Sequence, residues 1–271
     1  AFQDAMAGIA YYQFIEKAEQ EFEQRKNEIV EKLKALTVQI LRPENLSVSY
    51  TGEEESLEQV QKQVKALKLT LHTEPAEFSS EAMPLEKKNE GFMTSGQVQF
   101  VAQAGNFRRK GLVYHGALNI LKVALSYDYL WNNLRVKGGA YGCMCGFRRS
   151  GESYFVSYRD PHLKRTLDVY RGIPDYVRNF RADEREMTKY IIGTISGKDV
   201  PRTPQMQGSL SRTAWFCGVT EEMVQKERDE ILKATVEDIH NLAPLIEAVL
   251  EEESVCVVGS ETAVQKEKEL F

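Results

Sequence analysis

Residues 128–158 read DYLWNNLRVKGGAYGCMCGFRRSGESYFVSY, and the order of patterns within them decides the fold. An apolar helical segment arriving from residue 112 runs out at three glycines in five positions, Gly138, Gly139 and Gly142. Two strand-like runs come next, 141–148 and 153–158, with Ser150-Gly151 between them, and such a pair reads as a β-hairpin. The arriving segment, 112–131, is apolar nearly all round (Val113, Ala117, Ile120, Leu121, Ala124, Leu125), the pattern of a helix buried on most sides. Upstream, 97–104 alternates with Val98, Phe100 and Ala102 on one face, which predicts another strand. Downstream, three or more helices are expected between 163 and 250, punctuated by Pro161, Pro174, Pro201, Pro204 and Pro244. Residues 254–258 read as a short buried strand and the charged tail as a last helix. Strand, buried helix, hairpin, helices and strand make an α+β domain, its helices packed on one face of a largely antiparallel sheet.

Further toward the N-terminus, Ala18, Phe22, Ile29, Leu33, Leu36 and Ile40 recur at helical spacing between Glu, Gln and Lys, so the first forty residues predict one long helix that Pro43 ends. A short strand is expected over 46–50 and a more polar helix over 53–67. Residues 73–89 carry two prolines, two serines and several glutamates with little periodicity, the best linker candidate. The expected division is 1–80 and 81–271, the first block reading as the close of a domain whose earlier elements precede Ala1.

Composition narrows the function classes. With 42% hydrophobic and 28% charged residues and a formal net charge of −5, the chain is an ordinary globular protein. It lacks the overall basic balance by which a nucleic-acid binder displaces counterions from phosphates. No apolar run approaches the ~20 residues that cross a bilayer, and the first residues carry no signal-peptide pattern. The sparse cysteines, four in 271 residues, read as reduced thiols, which makes a cytoplasmic location the expectation. Cys143 and Cys145 share a strand face but have no second ligand pair to make a metal site.

The common catalytic signatures are missing. His72, His115, His162 and His240 stand singly, without the paired spacing of a hydrolytic zinc site. There is no Gly-x-Ser-x-Gly elbow and no phosphate-cradling Gly-Lys loop. What remains is the stretch around the glycines. Arg135 offers a forked, permanent cation and Tyr141 a phenolic donor, on either side of Gly138 and Gly139. Two such donors on a mobile loop suit a grip on a peptide carbonyl and its developing oxyanion. The same residues equally suit a tight turn with a solvated Arg and a packed Tyr, and the residue types alone leave both readings open.

DYLWNNLRVKGGAYG (128–142), NEGFMTSGQVQFVAQAGNF (89–107) and FVSYRDPHLKRTLDVY (155–170) together resemble, in order and spacing, the C-terminal half of the presequence-protease branch of the pitrilysin-like (inverzincin) metallopeptidases. The resemblance implies an enzyme of four similar α+β domains enclosing a chamber, with the catalytic zinc held by the N-terminal half of the same polypeptide. It implies that 1–80 ends the third domain and 81–271 forms the fourth. Arg135 and Tyr141 would then reach the substrate at the zinc, with Gly138 and Gly139 as further substrate-binding positions. The implied function is hydrolysis of unstructured peptides, this part alone holding no metal and being inactive. The alternative is a non-catalytic structural or peptide-binding relative of the same family. Neither nucleic acid nor membrane is an expected partner.

Overall fold

The computed structural model describes residues 6–75 and 88–271, and its contacts gather into two units, Ala1–Glu86 with Arg202–Cys217, and Lys87–Pro201 with Gly218–Phe271. Most of the linker expected over 73–89 lies outside the described residues. The contacts group 202–217 with the first unit.

In the first unit the expected single helix is two, α1 (Ile9–Gln20) and α2 (Phe22–Ile40), parted at Glu21, whose ψ of 6° departs from the helical value. Helix α3 spans Leu57–Lys68. The strand expected over 46–50 does not form a ladder: the backbone there is not paired with any strand among the described residues, and extended chain without a neighbour to exchange hydrogen bonds is not sheet. Apolar side chains of these helices remain open, among them Phe14, Phe22, Leu33 and Ile40. Arg42, 7% exposed, donates through Nη1 to the Glu74 carbonyl at 2.8 Å and pairs with Glu44.

The second unit is built on five strands, β1 (Glu90–Thr94), β2 (Gln99–Asn106), β3 (Gly142–Phe147), β4 (Glu152–Asp160) and β5 (Ser254–Ser260), in the order β1-β5-β2-β4-β3. Every neighbouring pair is antiparallel except β1 with β5. Between β2 and β3 lies α4 (Ala117–Ala124), continued by π-helical turns over Leu125–Tyr129 and Trp131–Val136. The helix thus starts later than the predicted 112. Val113 is 71% exposed, and Gly116, just before the helix, gives its N–H to Glu230 Oε2 at 2.6 Å.

After β4 come α5 (Lys164–Arg171), α6 (Ile173–Arg178) and α7 (Glu184–Ser196), the last opened by a reciprocal Asp183–Glu186 capping box. Helix α8 (Pro204–Cys217) belongs to the first unit. The chain returns in α9 (Glu221–Leu232), α10 (Val236–His240) and α11 (Ala243–Leu250), and after β5 ends in α12 (Glu261–Lys266) and a short 3₁₀ turn. Pro174 and Pro244 sit in the first turns of their helices, where a missing N–H costs nothing.

Burial alternates along the sheet. Val101, Phe155 and Val257 are fully buried, and Cys145 nearly so. The helices cover this face. Tyr170 of α5 donates to the Val101 carbonyl at 3.1 Å, Gln103 to the Leu250 carbonyl at 3.1 Å, and a Cβ at Gly105 would strike the Val249 backbone. Of the set Val98, Phe100 and Ala102, Val98 precedes the strand and Phe100 and Ala102 face the other way, while Gln99 and Gln103 point into the core with their amides satisfied by backbone groups. Phe100, Met144, Tyr154 and Tyr158 therefore remain on an open face, at 37, 53, 37 and 37% exposure.

The hairpin's far end is tied down by one carboxylate. Glu227 of α9, 6% exposed, accepts from Arg149 Nε at 2.6 Å and pairs with Lys198. Burial alone would raise its pKa, but the hydrogen bonds and charges of Lys198 and Arg149 outweigh burial and hold it below the usual value.

Candidate functional site

Arg135 and Tyr141 meet at the exit of the long helix. The last π turn carries Trp131 and Arg135 on one side, with the Arg135 guanidinium 4.4 Å from the centre of the Trp131 ring. A π turn widens the helix by one residue, a device that recurs where a side chain must be placed off the regular helical path. The helix then closes in a Schellman-like motif that is itself one residue wider than usual. Ala140 N–H donates to the Leu134 carbonyl and Gly139 N–H to the Arg135 carbonyl, both at 2.9 Å.

Gly138 and Gly139 are needed for that closure for different reasons. At Gly138 a Cβ would lie within 3.0 Å of the Leu134 and Asn133 carbonyl oxygens. Gly139 has φ +80°, the left-handed region that side chains resist. Gly142, by contrast, has open space around it and an ordinary φ.

This closure aims Tyr141 outward. Its N–H is shared between the Tyr158 and Arg159 carbonyls at 3.1 and 3.3 Å, and Arg135 Nη1 donates to its carbonyl at 2.7 Å. The backbone of Tyr141 is therefore held on both sides, while its side chain is 63% exposed and its hydroxyl has no hydrogen-bond partner among the described residues. The ring lies 5.7 Å from that of Tyr158, with the guanidiniums of Arg135 and Arg159 at 5.6 and 5.9 Å. Phe100 extends the row beyond Tyr158, edge-on at 5.2 Å. Trp131, Tyr158 and Arg159 are neighbours that the sequence pattern does not single out. Arg135 commits one donor to the loop and keeps the rest of its fork, so the arrangement can offer a phenolic O–H and guanidinium N–H groups to one ligand.

Other reactive groups fall away. Burial pushes the Cys145 thiol up to about 11 and raises Cys143 as well, so neither is a thiolate nucleophile near neutral pH. His72 lies beside Glu74, His115 beside Glu230, and His240 Nε2 is 2.8 Å from the Phe180 carbonyl. Among the described residues no group of three His, Cys, Asp or Glu side chains could hold a metal ion, so the donor set does not fit zinc. A cleft of about 430 Å³ lined by Arg171, Arg178, Glu247 and Glu253 includes none of the loop residues, and Arg178 and Glu247 in its wall pair with each other. No described helix is long and apolar enough to cross a membrane.

The family model described as PreP C-terminal domain matches residues 89–261. The chain is 43% identical over its whole length to Protein HypA of Clostridium perfringens, covering 28% of that protein. It is 32% identical over 95% of its length to presequence protease 1, chloroplastic/mitochondrial, of Arabidopsis thaliana, covering 24% of it. It thus spans about a quarter of the length of these curated relatives. Among solved structures, a peptidase M16 inactive domain from Pseudomonas fluorescens shares the fold at a TM-score of 0.50 and 16% identity, over 80% of this chain and 52% of that one.

Proposed function

The chain belongs to the PreP C-terminal domain family, and on that premise we propose that it serves as the metal-free, substrate-gripping part of a zinc metalloendopeptidase that degrades unstructured peptides. Residues 1–80 would close the third domain of such an enzyme and 81–271 form the fourth. Zinc and its ligands would be supplied by the N-terminal half of the same polypeptide, and no step assigned to this chain passes through the metal. Reduced Cys143 and Cys145 make a reducing, cytoplasm-like compartment part of the proposal.

The observation that carries it is the state of Tyr141: a backbone fixed from two sides presents an exposed, unengaged hydroxyl at the rim of an open aromatic sheet face. A phenol built only for packing would be buried against its neighbours. The exposed aromatic row supports reading this as a binding face, and extended peptide offers it both apolar side chains and carbonyls.

In the proposed reaction Arg135 holds a substrate carbonyl in the ground state with its spare N–H groups, and Gly138 and Gly139 fix the loop that carries both donors. Tyr141 O–H donates to the carbonyl oxygen as negative charge develops on it, so its bond strengthens in the transition state. Excluding folded proteins is then the task of the enclosing chamber. Steady-state peptide cleavage by the full-length protein carrying Tyr141→Phe or Arg135→Ala tests the reading; unaltered turnover in both would remove it.

A further inference from the structure

The alternation of β4 breaks at one place. Ser153, Phe155 and Ser157 point to the core; Tyr158 and Arg159 both point outward; Asp160, 1% exposed, points in again. The ladder gives the reason. Gln99 pairs with Asp160 and Val101 with Ser157, so Phe100 alone stands opposite Tyr158 and Arg159. This is a β-bulge, a device that re-aims a side chain and is common beside active sites. Without it Arg159 would fall on the core face.

The bulge is held in a costly form. Arg159 has φ +49°, in the left-handed region where non-glycine residues are strained. The chain on either side of it is pinned. On the C-terminal side the Asp160 carboxylate accepts from the His162 N–H at 2.9 Å and from the Thr166 hydroxyl at 2.6 Å. On the N-terminal side the Tyr158 carbonyl accepts from the shared N–H of Tyr141. Asp160 is thus committed to structure and is not the counter-ion of Arg159. The guanidinium lies against Tyr158 and Tyr141, at 5.6 and 5.9 Å from the ring centres, and makes no ion pair among the described residues. Contact with the ring faces leaves the N–H edge of a planar guanidinium free for an anion. In an acidic chain, Arg135 and Arg159 flank Tyr141 as two cations that pair with no carboxylate among the described residues.

We propose that Arg159 is a specificity residue that receives a carboxylate of the bound peptide beside Tyr141. The ligand chemistry is a planar, forked acceptor matched to a guanidinium, from an acidic side chain or from the peptide's own C-terminus. The inference rests on the reading of the Tyr141 loop as the peptide grip.

The test uses the full-length protein and three peptides sharing one cleavage region: one with an acidic residue and an amidated C-terminus, its Gln counterpart, and that Gln peptide with a free C-terminus. Wild type should favour one carboxylate-bearing peptide over the amide by about tenfold in kcat/KM, and the favoured arm identifies the source. Arg159→Asn, chosen because Asn tolerates a left-handed φ, should bring that ratio to about one, and Arg159→Lys should restore only part of it. A wild-type ratio of one on both arms, or a ratio that survives Arg159→Asn, would overturn the assignment. If instead Tyr141→Phe turns over every peptide normally, the grip itself is wrong. A slow Tyr141→Phe with a ratio indifferent to residue 159 removes only the role of Arg159.

Discussion

The Arg135 guanidinium donates to the Tyr141 carbonyl at 2.7 Å, so the first of the two proposed donors braces the second. A substitution at 135 therefore acts on the loop as well as on the proposed substrate contact. Lysine keeps the charge but cannot stack on Trp131 and reach the carbonyl with a fork at once. Arg135→Ala should lower kcat/KM by about 10- to 100-fold, the range for losing a charged hydrogen bond, with KM raised as well as kcat lowered. Arg135→Lys should recover less than half of the loss on a logarithmic scale. Steady-state kinetics on one fluorogenic peptide checks both; full activity in Arg135→Lys would mean that only the charge matters.

The three glycines of the loop should differ in stability cost. Gly138→Ala meets two backbone oxygens that cannot move without opening the helix end, so about 2–3 kcal/mol of stability should be lost, as for other overpacked sites. Gly139→Ala is strained by the left-handed φ at that position, which should cost about 1–2 kcal/mol. Gly142→Ala should change stability by less than about 0.5 kcal/mol, as a substitution away from any special geometry does. Urea denaturation of the three variants gives the order, and a Gly142→Ala variant as unstable as Gly138→Ala would contradict this account of the loop.

Glu227 is the buried partner of Arg149 and Lys198. Glu227→Gln strands two cations. Both are partly exposed, 26 and 36% at the side chain, so the cost should be about 2–3 kcal/mol rather than the full value for a buried pair. The sign with pH comes from a carboxyl held below its usual 4.5. Its contribution is complete above that value and is lost as pH falls through the lowered one. Wild type and Glu227→Gln should therefore differ at pH 7 and converge in acid. Parallel melting curves at every pH would show that Glu227 contributes nothing through its charge.

Arg159 holds its place at a cost in backbone strain. Arg159→Asn should raise stability by about 0.5 kcal/mol, since Asn accepts the left-handed backbone more readily. A melting temperature lowered by the same substitution would show that the stacking on Tyr141 and Tyr158 outweighs the strain.

Much of this architecture is legible in the sequence, for local reasons. The hairpin announces itself through two strand-like runs and Ser150-Gly151, and β5 through a short apolar run. The buried helix is visible in its all-round apolar pattern, though its start is not, because Leu112 and Val113 look like core while Gly116 and the Glu230 carboxylate set the true beginning. Strand β1 is not legible: five residues, EGFMT, without alternation, become a strand only by pairing with β5 more than 160 residues later. The π turns leave no mark on periodicity over so few residues. The bulge at Arg159 leaves none either. Residues 153–157, SYFVS, show no apolar alternation of their own, so the burial pattern that breaks at Tyr158-Arg159-Asp160 appears only once the ladder with β2 is formed. The Gln99 and Gln103 pattern misleads, because satisfied amides can face a core while Phe100 faces out.

Tyr141→Phe in the full-length protein is the most direct measurement, because it deletes one hydroxyl and leaves the ring, the loop backbone and the open face in place. That hydroxyl has no partner among the described residues, so its loss should not shift the melting temperature. If it stabilises the oxyanion, kcat should fall by about 10²–10³, the cost of one oxyanion donor. KM should stay within about twofold, since an interaction made in the transition state contributes little to ground-state binding. A near-normal kcat in a variant that folds like wild type would contradict the account and leave Tyr141 an exposed turn residue.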